Sequence, residues 1–263
     1  MKQGSRKVLR VGFTAGVILL FGVTIFIRWG NGIARALEND KPSRSFGTPK
    51  DGRLANGKRL PTSGANFTAY GYLPVALGRN SLHARVRAVV LDAYDVMELS
   101  HPSVQFVYGE CSWPSGGRLH PHATHRNGLS IDFMVPVRRA GEPTVIRTTI
   151  FNEYGYALDF DGQGYCASQD CRLDAEAMAA HLLALYEAAK KRGVMIRRVI
   201  FAPELQPLLL QTPLGPAVEK SVAFSKERPW VRHDEHYHVD FENPDDGQTG
   251  QTVRVVDGDS RER

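Results

Sequence analysis

The sequence predicts a mixed α+β domain, a mostly antiparallel sheet flanked by helices, preceded by an N-terminal membrane-spanning segment. Three observations carry this prediction. Two long stretches show helical periodicity, several short ones have the composition or alternation of strands, and the two kinds do not follow one another as strict β-α-β-α units. A length of 263 residues suits one main domain with its own core. A composition of 42% hydrophobic and 23% charged residues excludes a disordered chain or a multi-span membrane protein.

The elements follow in chain order. Residues 1–10 carry Lys2, Arg6, Lys7 and Arg10 without an acid, and Val11 to Ile27 then runs seventeen residues without a charge. At about 1.5 Å per residue that is roughly 25 Å, enough to cross a bilayer core of about 30 Å with flanking residues snorkelling. Arg28-Trp29 supplies an interfacial anchor, and the excess of positive charge before the span keeps the amino end in the cytoplasm. Residues 1–28 are read as a retained signal-anchor, with a signal peptide cleaved at Ala34-Arg35-Ala36 as the competing reading. Both export the rest of the chain. Residues 29–60 are polar, basic and rich in Gly, Pro, Ser and Asn, the composition of a flexible linker. The folded domain is then 61–241, and 242–263 is a loose Gly/Asp-rich tail.

Within the domain, Val86, Val89, Val90, Ala93 and Met97 recur at helical steps and predict a helix over Leu82–Leu99. Strands are predicted at 104–108, at 129–137 from the alternation of Leu129, Ile131, Phe133 and Val135, at 195–201 and at 237–241. Asp174 is a good N-cap for a helix over 175–192, with Gly193 as its stop, and a short helix is predicted over 203–210.

The net charge of +5 raises nucleic acid as a partner, but its distribution argues against one. Residues 1–60 hold 12 basic against 3 acidic side chains (+9), 61–241 hold 18 against 19 (−1), and 242–263 hold 3 against 6 (−3). A nearly neutral body has no basic face for a phosphate backbone. Of the three cysteines, Cys166 and Cys171 lie in a Gly-rich loop where a short disulfide is feasible, which leaves Cys111 as a small buried hydrophobe.

The chemistry sits in the histidines. Six of nine fall in two windows, His120, His122 and His125, then His233, His236 and His238. Asp132 follows the first, and Asp234, Glu235 and Asp240 surround the second, the composition of a transition-metal site, most often zinc. Gly128 lets the chain turn between His125 and the strand bearing Asp132, whose side chain faces away from that of Ile131. His236 and His238, two apart on a predicted strand, leave from one face, so one can ligate while the other stands over an open position. Zinc with three protein ligands and a bound water is the catalytic arrangement, and four protein ligands would be structural. Neither S-x-x-K nor G-x-S-x-G occurs in the chain, which disfavours a serine nucleophile.

The run G-G-R-x3-H-A-T-H-x2-G-L-x-I-D from Gly116 to Asp132, followed about a hundred residues later by P-W-x2-H-D-x-H-x-H-V from Pro229, resembles the penicillin-insensitive murein endopeptidases. These belong with the lysostaphin-type, D-Ala-D-Ala and hedgehog-like zinc peptidases, so the resemblance implies a hedgehog/D,D-peptidase-like fold. It implies one zinc ion held by His125, Asp132 and His238, with His236 as general base or transition-state stabiliser. His122 and His233 match cleft histidines, and Arg118 is suggested to position a substrate carboxylate. The implied reaction is hydrolysis of D-alanyl–meso-diaminopimelyl cross-links in peptidoglycan, in the periplasm, by a protein anchored in the inner membrane or soluble after signal cleavage. A zinc D,D-carboxypeptidase of the same group and a non-catalytic zinc-containing wall-binding module are the alternatives. The D-x-x-H pair that some members carry between the two windows is missing, so a second ion is not expected.

Plainer roles fit the remaining residues. His120, beside Pro121, reads as exposed; His83, His101 and His181 are isolated and read as surface or helix-face residues. Met97 and Met178 read as core filler, Asp159-Phe160-Asp161-Gly162 as a turn rather than a calcium loop, and Trp230 as packing at the cleft edge.

Overall fold

A computed structural model describes residues 2–225 and 231–243; Pro229, Trp230 and residues 244–263 lie outside the described residues. The first element, α1 (Lys2–Ala36), is one continuous helix. Its stretch Gly16–Ala36 is long and apolar enough to cross a membrane by length and composition, and Val17 to Phe21 are exposed.

The expected linker is largely ordered structure. Residues 29–36 continue α1, and β1 (Arg44–Gly47) pairs with β2 (Gly52–Ala55) in an antiparallel hairpin, followed by the short β3 (Lys58–Arg59). Polar, Gly- and Pro-rich composition also describes tight turns, here closed by Gly47 at φ +69° and the Thr48–Asp51 bonds. The hairpin is fastened to the loop before Asp132: Ser45 Oγ donates to Asn127 O at 2.7 Å, Arg126 N to Pro49 O at 3.1 Å, and Leu54 N to Ser115 O at 2.9 Å. Leu54 is 3% exposed. Leu54→Ala is therefore expected to destabilise the protein by about 2–5 kcal/mol, measurable as a lower Tm; an unchanged Tm would mean that the hairpin is not part of the cooperative fold.

After Leu60 the chain builds the main sheet and its covering helices. β4 (Phe67–Ala69) leads through α2 (Tyr72–Leu77) and β5 (Ser81–Leu82) into α3 (Ala84–Ser100), capped by His83, which accepts from Arg85 N. The predicted apolar stripe of α3 is its buried face. Next come β6 (Phe106–Tyr108), β7 (Ser130–Met134), β8 (Val137–Arg139), β9 (Glu142–Thr144), a 3-10 segment at Ile150–Gly155, β10 (Tyr165–Cys166) and β11 (Cys171–Leu173). Asp174 caps α4 (Ala175–Lys191) by accepting from Ala177 N, and Gly193 at φ +66° follows its end. β12 (Met195–Ile200), α5 (Gln206–Leu210), α6 (Gly215–Ser221) and β13 (His236–Glu242) complete the order, so Glu242, expected in the tail, closes a strand.

Five strands form the main sheet in the order β12-β13-β7-β6-β4, antiparallel except for β4 with β6, and β10-β11-β8-β9 form a second, antiparallel sheet. The chain thus adopts the predicted α+β architecture with helices against sheets. The single strand predicted over 129–137 is divided: Pro136, which has no N–H to give to a ladder, separates β7 in the main sheet from β8 in the second.

β7 is buried along its whole length. On one face Ile131 and Phe133 lie opposite Val239 and Tyr237 of β13, with the Phe133 and Tyr237 rings stacked at 5.3 Å. His181 of α4 belongs to this core rather than to the surface. It is fully buried, its Nδ1 is 2.6 Å from Tyr237 Oη, and its ring stacks on Phe106. Burial pulls its pKa down to about 3. Cys111, Met97 and Met178 are core residues. Cys166 and Cys171 are directly opposed across the β10–β11 hairpin, both buried and both free thiols.

Candidate metal centre

The other face of the same two strands carries the polar residues. His238 of β13 is the direct partner of Asp132 on β7, and Asp240 that of Ser130, so the period of two that sends Ile131 and Phe133 into the core brings these four together. The loop before β7 supplies His122 and His125. Gly128 holds φ +75°, and a Cβ there would lie 2.7 Å from the Leu54 side chain and 3.0 Å from His83 N, so the turn admits only glycine. His125 at φ +66° and His233 at φ +54° occupy the left-handed region that non-glycine residues enter at a cost, a feature that clusters at functional sites.

Contacts converge on Asp132. Its Oδ1 lies 3.2 Å from His125 Nε2 and 2.8 Å from His238 Nδ1. Its Oδ2 accepts from Tyr156 Oη at 2.8 Å and lies 3.9 Å from His236 Nε2. Behind His238, Nε2 is 2.8 Å from Asp240 Oδ1, which also accepts from Ser130 Oγ at 2.6 Å, while Arg198 Nε donates to Asp240 Oδ2 at 2.7 Å. His236 Nδ1 is 2.8 Å from Glu235 Oε1. His122, His125 and Asp132 each offer a donor atom, all within 4.8 Å of one another. These groups border a cleft of about 700 Å³ that is also lined by Lys50, Tyr70, Arg79, Glu110, Tyr154, Tyr156, Arg198 and His233.

The electrostatics favour positive charge at this point. Burial alone would raise the Asp132 carboxyl, but His125 and His236 hold it well below the usual range. Burial opposes a proton on His238, yet Asp240 and Asp132 override it and push its pKa up to about 10. His236 is raised as well, burial being outweighed by Asp132 and Glu235. Conversely His122 falls to about 3 and His233 to about 4, chiefly through burial. His125 Nδ1 is buried without a hydrogen-bond partner among the described residues. Imidazoles, a deprotonated carboxylate, a pull toward positive charge and an orphaned ring nitrogen together suit a divalent transition metal.

The structure brings His122, His125, Asp132, His233, His236 and His238 to one cleft. His122 stands beside His125 and Asp132 as a potential ligand, closer to the centre than its expected cleft-lining role. Arg118, expected to position a carboxylate, is exposed and does not line the cleft; among the described residues the basic side chains there are Lys50, Arg79 and Arg198. Sequence reasoning missed Tyr156, Glu110 and Arg79. Tyr156 Oη accepts from Glu110 N at 2.9 Å while donating to Asp132, and its ring stands 4.9 Å from that of His236. Arg79 Nε and Nη2 meet Glu110 at 2.8 Å and 2.6 Å. The position of Glu110 just past the strand ending at Tyr108 was the one available signal for it.

A carboxylate behind a ligating imidazole fixes its tautomer, and losing such a partner typically costs 10–100-fold in metal affinity. Asp240→Asn is accordingly expected to weaken metal binding about 10–100-fold with His238 as a ligand. Unchanged affinity would instead leave the third position to His122.

An α+β domain whose cleft gathers imidazoles around a buried carboxylate has, by its donor set, a candidate metal-binding site. The family is more specific: the model of the penicillin-insensitive murein endopeptidases matches residues 45–260, and the chain belongs to that family. Comparison with individually curated proteins gives no match. Membership supports a peptidase acting on peptidoglycan. The match begins at Ser45, so the hairpin that holds the His125 loop lies inside the family's domain.

Proposed function

We propose that this chain is a zinc metalloendopeptidase that hydrolyses D-alanyl–meso-diaminopimelyl cross-links in peptidoglycan. The observation that carries the reading is the approach of His125 and His238 to one oxygen of fully buried Asp132, in a cleft of a murein endopeptidase family member. In this reading His125, Asp132 and His238 hold one zinc ion. When bound, zinc polarises the peptide carbonyl and brings the pKa of water to near 7.

The chain's own groups orient and move protons around that centre. Tyr156 occupies Asp132 Oδ2 and leaves Oδ1 toward the two imidazoles. Asp240 fixes His238 so that Nδ1 faces Asp132. Glu235 takes up His236 Nδ1, so Nε2 is the nitrogen that accepts a proton from attacking water and returns it to the leaving amine. His122 and His233, kept neutral by burial, offer hydrogen bonds to the peptide. Lys50, exposed at the cleft, meets a substrate carboxylate in place of Arg118. Helix α1 anchors the domain in the inner membrane, with the cleft on the periplasmic side.

The test is the product pattern of purified, zinc-loaded full-length protein on muropeptides. Dimers are expected to become monomers, with loss of activity in EDTA, recovery on adding zinc and no effect of penicillin. Release of terminal D-alanine from monomers with dimers intact would make it a carboxypeptidase. Bound zinc with neither product would make it a wall-binding module.

A further inference from the structure

The last turns of α1 are built into the domain. Asn31 is buried; its Nδ2 donates to Leu60 O and Thr62 Oγ1, both at 3.0 Å, and its Oδ1 accepts from Asn80 Nδ2 at 3.1 Å. A turn earlier the Arg28 guanidinium lies over the Tyr72 ring, 4.8 Å from its centroid, and Gly30 abuts Ala76. Just past the helix, Glu38 accepts from Arg59 N at 2.6 Å and Arg87 Nη1 at 3.1 Å. A loosely hinged anchor needs none of these contacts. A buried side-chain amide satisfied wholly by the domain fixes the angle at which the helix leaves it.

That fixed exit places α2 at a defined height. The uncharged stretch ends at Ile27, and Arg28 with Trp29 marks the headgroup level. Through Arg28, Tyr72 is held at the same level, and α2 carries no charged side chain. Tyr72, Leu73 and Leu77 are 44%, 40% and 48% exposed, apolar side chains on a helix that packs against α1. On the same side of the membrane, residues 28–60 hold 8 basic against 3 acidic side chains (+5), a charge that complements anionic headgroups.

We infer that α2 is a second membrane contact: Tyr72, Leu73 and Leu77 seat in the headgroup region of the bilayer that α1 crosses. Pro74 of the same helix lines the cleft, so the contact holds the cleft beside the lipid surface and confines its action to wall peptide nearest the membrane. The inference rests on α1 being a retained membrane helix.

Photolabelling tests it. Full-length protein is reconstituted in phosphatidylethanolamine/phosphatidylglycerol vesicles that include a phospholipid with a diazirine near the headgroup end of its chain. Labels are expected on peptides covering 17–29 and 72–77, with those on α2 lost in a Leu73→Ser/Leu77→Ser double variant and those on α1 kept. Labels on α1 alone would overturn the α2 contact and leave the anchor standing. A chain recovered without residues 1–36, or without label on 17–29, would overturn both. Asn31→Leu is expected to speed proteolysis between residues 37 and 43 about 10-fold while α1 remains labelled; an unchanged rate would refute the fixed exit.

Discussion

Asp132→Asn is expected to empty the metal site and to lower kcat/KM by on the order of 10³-fold, the rate equivalent of several kcal/mol of Lewis-acid stabilisation. The substitution keeps the shape of the side chain and removes only its charge and one acceptor. Oδ1 is the atom that both His125 and His238 approach, so an amide placed there either offers a donor where a lone pair is needed or turns its nitrogen toward Tyr156 Oη. Asp132 is fully buried, and no water can replace the lost charge. The raised basicity of His236 and His238 also depends on this carboxylate, so the site loses its preference for positive charge together with its ligand. Metal analysis and thermal melting separate the effects. Wild-type protein is expected to gain stability from bound metal, about 4 kcal/mol at a thousandfold excess over Kd, and the variant to show no metal-dependent rise in Tm. Full metal occupancy with wild-type turnover would refute the assignment of Asp132.

Much of this site was legible because it lies on strands. H-x6-D and H-x-H become geometry through two facts visible in the sequence: a glycine that turns the chain at 128, and the period of two that sends Asp132, His238 and Asp240 to one face and Ile131, Tyr237 and Val239 to the other. The helices over 84–100 and 175–191 were legible for the same reason, since each buries a periodic stripe and begins at a side-chain cap. Tyr156 was not. It follows a 3-10 segment in which Glu153 and Tyr154 take positive φ, a path no periodicity announces, and it reaches Asp132 from 24 residues away. The β1–β2 hairpin was hidden differently. Its backbone is tied to the loop 115–127, so its polar composition mimicked a linker although the His125 loop rests on it. Arg118 shows the converse limit: the motif places it near the histidines in sequence, while among the described residues the cleft draws its basic groups from Lys50, Arg79 and Arg198.

His236→Ala is expected to retain metal and lose turnover by about 10²–10⁴-fold, the range for a positioned acid–base group. In the proposed reading His236 stands apart from the ligands. Its Nε2 stands 3.9 Å from Asp132 Oδ2, beyond hydrogen-bond reach, whereas His238 Nδ1 touches Oδ1 at 2.8 Å. Nδ1 is committed to Glu235, which leaves Nε2 with a proton to give or take beside the carboxylate. The His233 ring lies tilted at 4.5 Å and the Tyr156 ring edge-on at 4.9 Å, so the His236 ring is braced on two sides. His236→Gln, closer in volume, guards against a fold defect and should show the same split between full occupancy and lost kcat. If His236→Ala lost the metal, His236 would be a ligand and the proton would have to move through His122 or His233, both of which burial holds neutral. If it kept both metal and turnover, His236 would take no part in proton transfer, which would pass to His122, His233 or Tyr156, the last already donating to Asp132.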